Sequence, residues 1–145
     1  MASEARAVRQ VVDHDGTLLA MIVSNRSFGP GVHFVTPNEL QQQVAVMKRP
    51  AGEKILAHTH LPVPRSVKGT QEVLIILDGC IRADIYDDNR EFVQSETLTG
   101  GDVIVLVSGG HGFTIVDDCE FIEVKQGPYV PGKDKEVFEQ EDPHK

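Results

Sequence analysis

Short apolar runs recur along this chain at intervals set by turn residues, and almost none of them carries the three-to-four spacing of a helix. Val8 to Val12 breaks at Asp13-His14-Asp15-Gly16, a hairpin signal, and the run resumes from Thr17 to Val23. Ser27-Phe28-Gly29-Pro30-Gly31 reads as a loop, and Pro37-Asn38-Glu39-Leu40 admits one turn of helix. Gln41 to Lys48 reads as a strand, followed by a turn at Pro50-Ala51-Gly52 that leads into a strand carrying His58 and His60. Leu61 to Thr70 contains Pro62, Pro64 and Gly69; the prolines remove ladder donors, so this stretch is a loop. Glu72 to Leu77 and Cys80 to Tyr86 follow, turned at Asp78-Gly79, and Asp87-Asp88-Asn89-Arg90 makes the next turn. Glu91 to Thr97, Asp102 to Val107, Gly112 to Val116 and Glu120 to Lys125 complete a series of about nine or ten strands. Their separators are Gly100-Gly101, Ser108-Gly109-Gly110 and Asp117-Asp118.

In Glu72 to Leu77 both alternating sets, Glu72-Leu74-Ile76 and Val73-Ile75-Leu77, are largely apolar. Both faces of that strand therefore need cover, one from a barrel interior and the other from a second sheet or another subunit. A homodimer is expected on that ground. Residues 131–145 are polar and rich in Glu and Lys, and read as a flexible tail after a single domain spanning 1–130.

Composition agrees with one ordinary globular domain: 145 residues, 40% hydrophobic and 25% charged, enough chain to bury a real core. The formal net charge of −8 argues against nucleic acid, which calls for a basic patch. Lys48, Arg49 and Lys54 form the densest basic group and read as solvated strand ends or, as the second alternative, an anion site. No 18-residue apolar run exists and Met1–Arg6 lacks a signal-peptide core, so no membrane partner is expected and the location expected is cytoplasmic. Cys80 and Cys119 have no second cysteine two residues away, which rules out zinc-ribbon and redox motifs and suits buried small hydrophobes.

The chemistry gathers around His58-Thr59-His60. On a strand, residues two apart share a face, so two imidazoles can converge on one ion. Five residues separate Gly52 from the pair, and six separate Glu72 from Gly79. Later in the chain His111 stands eleven residues beyond Gly100.

These residues resemble the two motifs of the cupin superfamily, over Gly52 to His111. The first family motif reads glycine, five residues, His-x-His, a short gap, glutamate, six residues, glycine; the second ends in a histidine eleven residues after a glycine. Eleven residues fill the gap between His60 and Glu72 here, and Leu106 and Ser108 replace the family's Pro-x-Gly. The resemblance implies an all-β, cupin-type double-stranded β-helix, a jelly-roll barrel. It also implies a divalent transition metal held by His58, His60, Glu72 and His111. Three neutral imidazoles and one carboxylate leave a residual positive charge and open positions, which suits iron, manganese or nickel, with zinc admissible. Thiolates and an all-oxygen cage are both missing, which disfavours structural zinc and calcium.

Two classes of function follow from the resemblance. One is an enzyme acting on a small oxygenated molecule, by dioxygen chemistry or as a Lewis acid in isomerase- or lyase-like reactions. The other is a non-catalytic module that binds or senses a small molecule such as a sugar. A third reading, a metal-free epimerase, needs a histidine base facing a tyrosine acid, and only Tyr86 and Tyr129 are present. Arg65 and Lys68 either close over an anionic ligand or belong to a solvated loop. Glu123 and Lys125 become candidates if they face the cavity. Gln71 points away from Glu72's face, His33 reads as a satisfied structural histidine, and His14 and His144 read as exposed turn and tail residues.

Overall fold

A computed structural model describes residues 7–24, 28–140 and 142–145. The readings above for Met1–Arg6 and Ser27 lie outside the described residues. Among the described residues eight strands and no helix form: β1 (Val8–Val12), β2 (Leu18–Ser24), β3 (Gly31–Phe34), β4 (Ala45–Lys48), β5 (Glu72–Tyr86), β6 (Phe92–Thr99), β7 (Asp102–Leu106) and β8 (Gly110–Lys125). Among the described residues no helix is therefore long and apolar enough to cross a membrane. The turn at Pro37–Leu40 is closed by one Leu40 N–H donating to the Pro37 carbonyl at 3.2 Å and goes no further toward a helix.

The β1–β2 hairpin forms where the turn residues place it. The Asp13 carboxylate accepts from the N–H groups of Asp15 and Thr17, both at 2.9 Å, while Gly16 takes the left-handed φ of 83°. Those bonds favour the charged form, so the Asp13 carboxyl lies below its ordinary value, chiefly through Thr17.

Two expected turns are not turns. Asp78-Gly79 lies inside β5 and Asp117-Asp118 inside β8, and the two strands pair antiparallel along nearly their whole length. The register shifts between Ile76 and Ile81 show why: each pair of turn residues is a bulge, and the bulges face each other, Asp78 opposite Glu120 and Cys80 opposite Asp117. Gly79 has φ 82° and packs against the Asp118 backbone, which only a residue without Cβ allows. The bulge bends the ribbon and changes which residues point inward. Leu74 and Ile76 face the core before it; Ile81, Ala83 and Ile85 do so after it.

The main sheet has the order β1-β2-β7-β5-β6, with β8 on the other edge of β5. β7 pairs with Glu72–Ile75 and β6 with Cys80–Tyr86, so the bent ribbon joins two half-sheets. The result is a curled antiparallel half-barrel. Its two ends meet where Arg9 of β1 pairs with Glu96 of β6 at 2.7 Å. The concave side holds the largest core cluster, which includes Leu19, Ile22, Leu74, Ile76, Ile85, Leu98 and Ile104. On the other face Met21, Val73 and Val105 are covered by Leu40 and Val44, which lie in the connection between the separately paired β3 and β4. The chain itself thus covers both faces of the first part of β5.

The strand expected to carry His58 and His60 does not form. Residues 53–68 have no ladder partner, and residues 51–70 are all exposed. An extended segment becomes a strand only when an edge takes up its N–H and C=O groups, and none does so here. β8 meanwhile pairs only with β5, leaving its other edge without a strand among the described residues. That edge strand exposes Phe113, Ile115, Val116, Phe121, Ile122 and Val124. The C-terminal segment, expected as a flexible tail, lies against the body of the protein through the contacts described below.

Candidate functional site

The inward face at the open end of the ribbon carries polar side chains instead of apolar ones. Glu72 is the first residue of β5 and sits on the same face as Leu74 and Ile76. Its register partner is Lys125, the last residue of β8. His111, the second residue of β8, is opposite the core residue Ile85 and so shares the inward face. The bend brings the two ends of β8 around one carboxylate. Glu72 Oε2 is 3.1 Å from His111 Nε2, and Glu72 Oε1 is 3.7 Å from Lys125 Nζ.

Lys125 is shared further. Its ammonium donates to Asp134 Oδ2 at 3.1 Å, lies 3.7 Å from Glu123 and sits 5.1 Å from the centre of the Tyr129 ring. These groups line an open cleft of about 940 Å³. Three carboxylates around one ammonium make the local balance acidic, which favours a cationic occupant over an anionic one. The electrostatics follow the geometry. Hydrogen bonding to His111, reinforced by its charge and that of Lys125, holds the Glu72 carboxyl below its ordinary value against the opposing effect of burial. The bond to Asp134 raises Lys125.

A carboxylate accepting from an imidazole N–H fixes the ring's tautomer and orientation, an arrangement used both by metal ligands and by acid–base pairs. Glu72 and His111 supply two donors, fewer than a metal shell needs. No group of three or more His, Cys, Asp and Glu side chains among the described residues is placed to hold a metal ion. His58 and His60 are on the exposed segment with ring centres 5.3 Å apart, and His58 Nδ1 is 2.8 Å from the carbonyl of Leu56. Of the four expected ligands, the structure joins Glu72 with His111 and, separately, His58 with His60.

The remaining candidates sort by location. His33 Nε2 meets the Gly29 carbonyl at 3.2 Å beside Phe28, as a satisfied structural histidine does. His14 lies in the exposed β1–β2 turn. His144 is exposed near the end of the chain as well, with Nε2 2.8 Å from Ser95 Oγ. Gln71 is buried beside Glu72, and its backbone N–H donates to the Gln126 side chain. Arg65 and Lys68 are on the exposed segment, whose Lys68 carbonyl accepts from Gln41. Cys80 and Cys119 are free thiols at the bulge, and burial pushes the Cys119 thiol up.

Tyr129 and Asp134 were not legible as site residues, because neither lies on a strand with a readable face. Glu123 and Lys125, candidates on condition that they face the cavity, both line the cleft. Comparison of the chain with protein-family models, with curated proteins and with solved structures found no match.

Proposed function

We propose that this chain is a cupin-type metalloprotein whose half-barrel is closed by the histidine segment. In the closed form His58, His60, Glu72 and His111 hold one divalent transition ion beside a pocket for a small oxygenated molecule. The observation that carries the reading is the 3.1 Å approach of Glu72 to His111 at the mouth of a polar cleft. Two further features support the closure. The outer edge of β8 has no strand partner among the described residues and the strand carries four carboxylates against one lysine, whereas residues 48–70 carry five cations against one carboxylate. Both also expose apolar side chains, among them Ile55 and Leu56 on one and Ile115 and Val116 on the other. Strand addition would satisfy ladder groups, bury apolar surface and pair opposite charges at once.

The bound ion would supply Lewis acidity toward an oxygenated ligand. The chain's own residues orient the ligand set: Lys125 and His111 hold the Glu72 carboxylate ionised, ready to act as a donor. Metal analysis of the purified protein, with cobalt(II) titration followed by visible absorbance, tests the reading. About one ion per chain is expected, and it should be lost both in His58→Ala/His60→Ala and in Glu72→Gln. A protein that stays metal-free after exposure to iron(II), manganese(II), nickel(II) and zinc(II) would sink it.

One observation favours a second reading. Tyr129 lines the same cleft as His111, so a histidine base and a tyrosine acid share one cavity. This metal-free acid–base site predicts a ligand-binding defect in Tyr129→Phe that chelators do not reproduce.

A further inference from the structure

The last residues of the chain contact the body with a period of two. Asp134 meets Lys125 at 3.1 Å, Glu136 meets Arg90 at 3.0 Å, and Phe138 packs on Tyr86 with ring centres 5.4 Å apart. Gln140 lies over Gly112, Asp142 pairs with Arg82 at 3.3 Å, and His144 reaches Ser95. Between them Val137 is 85% exposed. From Asp134 to Gln140 this alternation is that of an extended segment laid on a surface with one face down, whereas Asp142–Lys145 is a turn closed by the Lys145 N–H on the Asp142 carbonyl at 3.1 Å.

The surface is shaped to receive it. A Cβ at position 110 would stand 2.9 Å from Phe138 Cζ, and one at position 112 would stand 2.9 Å from Gln140 Nε2. Gly110 and Gly112 flank His111, so the strand presents bare backbone on one face and the imidazole on the other. Arg90 adds a strained contact: it has φ 69°, the one positive φ of a non-glycine residue among those described, and its guanidinium lies 5.3 Å from the Phe138 ring centre. The segment begins beside Lys125 on the concave side and ends against Arg82 and Tyr86, which face away from the core residue Ile85. It must pass over the rim of the cleft, which residues 134–138 line.

We infer that Asp134–Gln140 is a strap that closes one side of the cleft around Glu72 and His111 and slows access to that pair until it lifts. Side chains alone hold it: the Glu136–Arg90 pair is exposed, the Asp134–Lys125 pair is half-buried, and no backbone bond ties the segment to β8 among those described. Such an attachment opens far more readily than the core and weakens with salt. The strap concerns access to the cleft and stands whether or not the cleft holds a metal.

Two metal-free readouts on the full chain test it. Trypsin cleavage after Lys135 reports lifting, and carbethoxylation of His111 by diethyl pyrocarbonate reports access, with His14 as internal reference. In Phe138→Ala and in Arg90→Gln both rates should rise, on the order of tenfold for cleavage and threefold for His111, and 1 M salt should raise them in the wild type. Cleavage after Arg82, inside β5, reports global unfolding and should stay negligible in both variants. Wild-type cleavage after Lys135 as fast as after Lys54 would show that no strap exists. Unchanged His111 reactivity in both variants would show that the strap does not gate the cleft.

Discussion

Glu72 and His111 stand 39 residues apart in the chain, yet Oε2 of one and Nε2 of the other are 3.1 Å apart on the concave face. The bent β5–β8 ribbon is what joins them. The side chains are only 16% and 31% exposed, so the pair is shielded from much of the solvent that would weaken it.

That shielding gives a pH signature. Glu72 is held below its ordinary value, so its stabilising effect is complete above the ordinary carboxylate range and is lost as pH falls through its lowered pKa. Glu72→Gln cannot titrate. The variant should be less stable than the wild type at neutral pH, and the gap should shrink on acidification. Urea midpoints across the acid range check this; a gap that is constant with pH would contradict it.

Gly79 separates a bulge from a hairpin turn. In a tight turn asparagine would replace glycine at little cost, because it tolerates a left-handed backbone. Here a Cβ at position 79 would overlap the Asp118 carbonyl as well. Both Gly79→Ala and Gly79→Asn should therefore cost about 2–4 kcal/mol in denaturant unfolding.

The bulge also decides which residues of β5 are core. Ile85, fully buried after it, should cost about 2–5 kcal/mol on truncation to alanine. Leu77 belongs to the alternating apolar set of the first half of the strand but is 46% exposed at the bulge. Leu77→Ala should stay within about 1 kcal/mol, and equal losses at the two positions would contradict the change of face.

The proposed closure by the histidine segment would make metal and stability interdependent. Ile55 and Leu56 are 67% and 80% exposed, so in metal-free protein their replacement by alanine should change stability by no more than about 0.5 kcal/mol. A saturating ion should raise the wild-type melting temperature by mass action, and the Ile55→Ala/Leu56→Ala variant should lose part of that rise. An equal rise in both proteins would argue that the segment does not seat.

Much of the β architecture was legible because strands announce themselves locally. β1 was read at its full span, and β2, β6 and β7 to within a residue or two at each end. Two of the errors share one cause. Asp78-Gly79 and Asp117-Asp118 carry the composition of turns, and nothing local tells a turn from a bulge. The difference depends on each finding the other across the ladder. β3 was missed because Gly31–Phe34 is short and follows a glycine- and proline-rich stretch.

By itself the sequence determined the all-β class, the turn at Asp13–Gly16 and the places of two candidate site residues, Glu72 opening a strand and His111 near the start of another. Those follow from side-chain period and backbone preference, which act over a few residues. Only the tertiary structure decided that one bent ribbon brings Glu72, His111 and Lys125 together, and that the last residues of the chain lie against glycines 110 and 112. These relationships depend on register and curvature, and both are set by cross-strand partners far away in the chain.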